Sequence, residues 1–489
     1  MSCRRFLAVI LATVVAPAIS PNANALGGQS PDFQGGGFRF DNFEDEYGLG
    51  YVPDTVSVRL VQRAPFSDTL TVVASIYDAD MTGTFRLGLM RLHLDGSLDT
   101  TFETGFGVGG LAMNGYPGRG DRFYAGDAQY DEASGRIVVA GSVKNAGNPA
   151  EFDTVVCRLN ASSTWDPTWA DDASPPGCRR LPQLSDGSSP QFAYLAADGS
   201  GGVYAAAQVG TVVRIQHLDA NGDIDSAYGL AGVFTAQAPA AVLTTLSDLT
   251  VDSSGRLIVL GDTTPADDGN GSNFDWYVLR VTSDGAEDQT FGSLNGYRKI
   301  GFDLGGVANR YDWSSRVIEA ASGELIVIGN AQTGSSSFGV GVVKLSTDGV
   351  SIDQTYGTAN TTTFEYTQVS TSSNASTGVL LPDGGLMIAG NHELNFDDQD
   401  RDPALLVLDD QGALDTRFWN SGVKVFPIDR TSAPETSGRD FWQALQADAE
   451  LERVILGGRA EGGTDDDWQG MLTGIALHDR LFKDGLEDE

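Results

Sequence analysis

The sequence predicts an all-β fold: a β-propeller of seven four-stranded blades, closed by an N-terminal strand that joins the last blade. Three observations predict it. A turn segment recurs, as "LDGSLDTTF" from Leu94, "LDANGDIDSAY" from Leu218, "SDGAEDQTF" from Ser283, "STDGVSIDQTY" from Ser346 and "LDDQGALDTRF" from Leu408, with a worn copy "LNASSTWDPTW" from Leu159. A second segment recurs upstream of it, as "SGRIVVAGS" from Ser134, "SGRLIVLGD" from Ser254, "SGELIVIGN" from Ser322, "DGGLMIAGN" from Asp383 and "LERVILGGR" from Leu451. "DTLTVVASI" from Asp68 and "GGVYAAAQV" from Gly201 are worn versions, which makes seven units at a spacing of roughly 60 residues. Third, the last unit runs out of chain before a fourth strand, and the N-terminal region supplies a spare one.

The elements follow in chain order. Residues 1–25 read as a signal peptide: Arg4 and Arg5, an apolar run from Phe6 to Ala16, then Ala23-Asn24-Ala25 as an A-x-A cleavage pattern. The run is too short to span a membrane, and no later segment is apolar enough. Arg4 to Leu7 loosely resembles a twin-arginine signal, but the flanks favour the general secretory type. The mature chain, 26–477, is then the propeller. "GGGFRFDNFE" near 36–43 is the spare strand, similar to the fourth-strand segments "GYRKIGFD" and "GVKVFPID". The units lie near 57–115, 127–184, 194–239, 248–306, 316–368, 378–429 and 440–477, and an acidic tail occupies 478–489.

Each unit reads as four short strands. In the unit near Asp248, "DLTV", the turn "DSSG" and "RLIVLGD" form a hairpin signal; "DWYVLRV" and "YRKIGFD" follow. The runs are β-branched and bounded by Gly, Asp, Asn and Ser. "RLIVLG" is apolar almost throughout, so both its faces are expected to be covered.

Charge bounds the partners. The 489-residue chain carries −35, and loss of Arg4 and Arg5 with the signal moves it to −37. Such a surface repels phosphate backbones and anionic membranes, which argues against nucleic acid. It suits solubility and cation binding. Cys3 leaves with the signal, and Cys157 and Cys178 remain as an even pair in an oxidising compartment, expected to form a disulfide.

The repeated Asp-x-x-aromatic pairs are Asp99 with Phe102, Asp166 with Trp169, Asp225 with Tyr228, Asp288 with Phe291, Asp353 with Tyr356 and Asp415 with Phe418. A catalytic constellation occurs once per chain, whereas a device every blade needs recurs. These Asp residues are therefore expected to shape turns, with their carboxylates accepting backbone N–H bonds and the aromatics anchoring blade to blade. Asp398, Asp400 and Asp402 alternate in "NFDDQDRDP" and form the leading candidate calcium loop, ahead of Asp219, Asn221, Asp223 and Asp225 and of the stretch from Asp268, although the glycine and distal glutamate of an EF-hand are missing. No other cofactor is expected. His93 and His217 read as matching repeat positions, and no zinc spacing, G-x-S-x-G elbow or phosphate loop is present. Trp276, Trp313, Trp419, Trp442 and Trp468 lie near loops or strand starts, the last two expected in the core of the final blade.

These motifs resemble the delta-60 repeat, a bacterial β-propeller repeat of unknown function. The match runs from about Val58 to Leu477 and is best at Gly255–Gly292 and Gly323–Gly357. The resemblance implies an exported or surface propeller and carries no catalytic residues. "LFKDGLEDE" is similar to the F-x-D-G-F-E tail of some exported bacterial proteins, with Leu486 in place of Phe. The expected function is a secreted, non-enzymatic interaction or scaffold module, monomeric, acting on an extracellular protein or glycan in the periplasm, outside the cell or at its surface. The alternatives are an extracellular hydrolase or lyase at the channel mouth, and a calcium-stabilised structural surface protein. Function is expected where the copies differ: Asn395–Pro403, the Cys157–Cys178 loop and the tail.

Overall fold

The computed structural model describes residues 29, 33–34, 37–41, 54–63, 67–78, 84–102, 111–114, 123–144, 152–162, 164–173, 175–185, 193–236, 241–265, 274–293, 296–302, 311–334, 337–357, 362–364, 372–393, 401–428, 440–462 and 467–477. They form seven antiparallel four-stranded sheets, the blades of a propeller. The first strand in the chain, β1 (Arg39–Asp41), belongs to the last blade. Blade 1 is β2 (Asp54–Arg63), β3 (Thr69–Asp78), β4 (Thr84–His93) and β5 (Leu111–Asn114). Blade 2 is β6 (Tyr124–Asp131), β7 (Arg136–Lys144), β8 (Phe152–Arg158) and β9 (Cys178–Arg180). Blade 3 is β10 (Ala193–Ala197), β11 (Val203–Val209), β12 (Val212–Leu218) and β13 (Phe234–Ala236). Blade 4 is β14 (Ala241–Val251), β15 (Leu257–Pro265), β16 (Asp275–Val281) and β17 (Tyr297–Ile300). Blade 5 is β18 (Asp312–Glu319), β19 (Leu325–Gln332), β20 (Phe338–Leu345) and β21 (Thr362–Phe364). Blade 6 is β22 (Ser372–Leu380), β23 (Leu386–Glu393), β24 (Arg401–Leu408) and β25 (Val423–Val425). Blade 7 is β26 (Phe441–Asp448), β27 (Arg453–Gly462), β28 (Asp467–Ala476) and, completing it, β1.

The second strand of a blade is apolar because neighbouring blades cover both its faces. Every residue of β19 and of β23 is buried. The hydrophobic clusters accordingly run between blades. Trp276 and Phe291 of blade 4 pack with Val317 and Val327 of blade 5, and Val58 and Val72 of blade 1 pack with Ile455 and Leu472 of blade 7. Closing the ring therefore buries apolar side chains at the seam, as at the other joints.

The closing strand is held in register by Arg39 opposite Leu472, Phe40 opposite Met471 and Asp41 opposite Gly470. The Thr473 hydroxyl donates to the Gly37 carbonyl at 2.8 Å. Phe38 stacks on Trp442 with centroids 6.2 Å apart and meets Phe426 of blade 6 edge-on at 5.9 Å, so the closing segment also packs at the joint of blades 6 and 7.

First strands are less regular. Those of blades 1, 2, 4, 5, 6 and 7 are bulged, with Arg59, Gly126, Ser247, Ser315, Ser376 and Gln443 as the additional residues near their middles. A bulge re-aims side chains and strengthens the local twist. Here it brings these residues to the wall of the central channel.

The two rims of the ring differ. The short turns between first and second strands and the Asp-x-x-aromatic segments share one rim, the motif rim. The connections between second and third strands, and between successive blades, share the other, the loop rim. No helix among the described residues is long and apolar enough to cross a membrane.

Candidate functional site

The repeated aspartates sit at the blade joints. Asp99 accepts the Thr101 amide at 3.0 Å and the Thr101 hydroxyl at 2.5 Å. Asp166, Asp288 and Asp353 accept the same pair of bonds from Thr168, Thr290 and Thr355. Asp225 and Asp415 accept the amides of Ala227 and Arg417. Burial alone would raise the Asp99 carboxyl, but the Thr101 hydroxyl and amide with Arg91 outweigh it and hold it below the usual carboxylate range. At the more exposed Asp353 the Thr355 hydroxyl is the leading cause of the same depression.

A cation was not part of the sequence pattern, yet it is built into most joints. Arg91 Nε holds Asp99 at 2.7 Å, Arg158 Nε holds Asp166 at 3.0 Å and Arg280 Nε holds Asp288 at 2.8 Å. Lys344 lies 3.9 Å from Asp353, and Arg417 takes the role for Asp415. The same guanidiniums lie over the anchoring rings, at 4.5 Å for Arg91 on Phe102 and for Arg280 on Phe291. For Arg91, Arg158, Arg280 and Lys344 the signal is a basic residue eight or nine positions before the Asp, near the end of the third strand; Arg417 instead follows its Asp by two.

Blade 3 departs from this scheme. His217 occupies the cation position, 3.3 Å from Asp225 and 3.0 Å from Asp198, beside the rings of Tyr204 and Tyr228. Burial opposes its protonation, but the two carboxylates prevail and raise its pKa. The backbone bonds also correct the expected equivalence of His93 and His217. Asp99 N bonds the Arg91 carbonyl as Asp225 N bonds that of His217, so His217 corresponds to Arg91. His93 N bonds the Ser97 carbonyl as Asp219 N bonds that of Asp223, so His93 corresponds to Asp219. The two turns are equal in length, but the first turn Asp falls two positions earlier in blade 3, at Asp219 rather than at the equivalent of Asp95, which misaligned the pair.

The aromatics reach the next blade. A Cβ on Gly222 would lie 2.6 Å from the Trp169 ring, and one on Gly412 would lie 2.8 Å from that of Tyr356. Gly285 and Gly349 receive Tyr228 and Phe291 in the same way. Phe33, fully buried, makes this contact with Gly96 and is the anchor of blade 7. Sequence reading missed it because its repeat is split between the chain ends.

Cys157 and Cys178 are bonded as a disulfide and face each other across β8 and β9. Asp398 and Asp400 lie outside the described residues, as do 1–25 and 478–489; Asp402, buried, lies opposite His392 on β23. Among the described residues no group of three or more His, Cys, Asp and Glu is arranged to hold a metal.

The central channel encloses about 400 Å³. Its charged wall is Arg59, Asp127, Asp248 and Arg316, with Tyr194 beside them. Burial, and then the neighbouring Asp248, push the Asp127 carboxyl up to about 6; burial likewise raises Asp248. Both carboxylates also tie blades together. Asp127 accepts Leu195 N of blade 3 at 2.8 Å, and Asp248 accepts Val317 N of blade 5 at 2.8 Å while holding Arg316 at 2.9 Å.

On the loop rim, aromatic rings cross two joints. Phe85 stacks on Tyr124 at 4.1 Å between blades 1 and 2. Phe274, Tyr311, Trp313 and Phe338 form a row between blades 4 and 5, in which Trp313 and Phe338 are 4.7 Å apart. Trp313 is 38% exposed, whereas Trp276 and Trp442 are fully buried and Trp419 is half-buried against Phe418. The Trp468 side chain lies outside the described residues.

Residues 72–102, which run from β3 into the first turn segment, match the family model described as "Domain of unknown function (DUF5122) beta-propeller". No curated protein matches the chain. Among solved structures it is similar to the polysaccharide lyase Uly1, at 11% identity over 93% of this chain and 97% of that one, with a TM-score of 0.48. It is similar to an α-L-arabinanase of Penicillium chrysogenum complexed with arabinobiose, at 12% identity over 90% and 97%, TM-score 0.40. It is also similar to the Dos1 propeller, at 9% identity over 87% and 93%, TM-score 0.43.

Proposed function

We propose that the protein is an exported, non-catalytic interaction scaffold, which presents the loop rim of a rigid ring to an extracellular protein or glycan. One observation carries the reading: the conspicuous charged residues are engaged in holding blades together. The six repeated aspartates cap turns and hold cations, and the two channel carboxylates accept backbone N–H groups of the following blade. Groups held by several bonds make a stiff frame and poor proton carriers. The exposed Trp313 lies on the opposite rim, where a partner has access.

A second reading, a hydrolase or lyase at the channel mouth, draws support from Asp127. A carboxyl pushed up to about 6 holds and releases a proton near neutrality. The two are separated by one experiment on the mature protein: a glycan and protein binding array beside a panel of polysaccharide and peptide substrates. The scaffold reading expects saturable binding to an array member, weakened by Trp313→Ala, without turnover. Turnover abolished by Asp127→Asn would replace it with the enzymatic reading.

A further inference from the structure

We propose that the cleft between blades 1 and 2 on the motif rim is a binding site for a small oxyanion, the carboxylate or sulfate of an acidic sugar or the free inorganic ion. The cleft holds about 200 Å³. Thr69, Thr71, Arg91, Tyr130, Arg136 and Asn160 line it, and no Asp or Glu does, in a chain of net charge −35.

Arg136 carries the inference, because its counterparts elsewhere are engaged. At the same place in blade 4, Arg256 Nε donates to Asp252 at 2.8 Å, and its guanidinium lies 3.5 Å from Asp288. In blade 7, Arg453 donates to the Leu94 carbonyl at 2.6 Å. Arg136 makes one long bond among the described residues, 3.5 Å to the Gly135 carbonyl of its own turn, and no ion pair. The cause is local. "DEASGR" is one residue longer than "DSSGR" of blade 4, and Asp131 bonds the Ala133 and Ser134 amides at 3.1 Å instead of reaching the arginine. Glu132, on the same turn, is exposed and does not line the cleft.

The second cation is half-engaged. Arg91 Nε holds Asp99, and the guanidinium also borders the cleft. Two guanidiniums with threonine and tyrosine hydroxyls are a donor-rich set that matches the planar or tetrahedral acceptors of an oxyanion. Arg91 is fixed by its carboxylate and by Phe102, so part of the site is ordered before a ligand arrives. The site stands apart from the loop-rim reading, since it faces the other rim.

Titration calorimetry of the mature protein tests it, with glucuronate and sodium sulfate as probes and glucose as the neutral control. Saturable binding of glucuronate or sulfate is expected, without glucose binding. Arg136→Gln should weaken binding by about tenfold or more, the loss of a charge-assisted pair. Its melting temperature should not change, since Arg136 holds no joint. Arg136→Lys, which keeps the charge and loses the fork, should fall between. Glucuronate binding more tightly than sulfate assigns a sugar-borne anion, and the reverse assigns the inorganic ion. Absence of binding by either probe, equal binding of glucose, or binding indifferent to both substitutions overturns the proposal.

Discussion

At the scale of single residues, the joints differ in how deeply their charges are set. Asp288 and Arg280 are both buried, whereas Asp353 is partly exposed and its lysine is 3.9 Å away. Asp288→Ala leaves a buried guanidinium without its carboxylate and should cost roughly 3–5 kcal/mol. Asp353→Ala loses mainly a turn cap and should cost about 1 kcal/mol. Urea denaturation of the two variants checks the order, and equal losses would show that burial does not set the strength of a joint. His217 makes the joint of blade 3 sensitive to pH. Its folded pKa is raised, so its contribution is fully present below the unfolded value of about 6.5 and is lost as pH rises through the folded value. Asp198 and Asp225, both lowered with His217 among their causes, keep their charge throughout that window. His217→Gln should therefore destabilise the protein more at mildly acidic pH than at alkaline pH in thermal melts. A pH-independent difference would show that packing against Tyr204 and Tyr228, not charge, is what the imidazole provides.

At the scale of elements, much was legible because each strand carries its own signal. "RLIVLG" reads as a covered strand from its composition, and Leu257, Ile258, Val259 and Leu260 are all fully buried. The Asp-x-x-aromatic turn was legible by repetition, and its carboxylates cap turns as such spacing allows. The cations were not, since Arg91, His217 and Lys344 share neither a residue type nor a constant distance from the Asp. The bulges were not legible either, because an additional residue in a strand shows only against its partner. The channel wall, built from bulged strands, was therefore invisible, and so was the cleft around Arg136, which exists through a one-residue difference between turns. The turn glycines are a sharper test of the joint. Gly349 has φ +67 and faces the Phe291 ring, so Gly349→Ala combines an unfavourable backbone with overpacking. It should cost about 2–4 kcal/mol. Gly255 has φ +77 but open space, so Gly255→Ala should cost only about 1–2 kcal/mol. Chemical denaturation separates them, and equal costs would deny the ring its part in the joint.

At the scale of the whole molecule, one short segment closes the ring. It supplies the fourth strand of blade 7, the anchor Phe33 and the Phe38 contact with Trp442. A chain shortened to begin at residue 45 should expose β28 as an unpaired edge and lose the packing of Phe33. Size-exclusion chromatography and thermal melts should show self-association and a lower melting temperature. A monomeric, equally stable ring would mean that the first strand is dispensable.

The same clasp has a mechanical side. Arg39 lies opposite Leu472, and Gln29 bridges Ile475, so the outgoing ends of both chain termini lie at the same edge of the pair. Tension applied between the termini would not shear the hydrogen bonds together; it would break them one at a time, as a zip opens. In an optical trap the N-terminal segment should peel away at low force before any blade unravels. A ring of seven blades would thus open readily to a pull along its own chain.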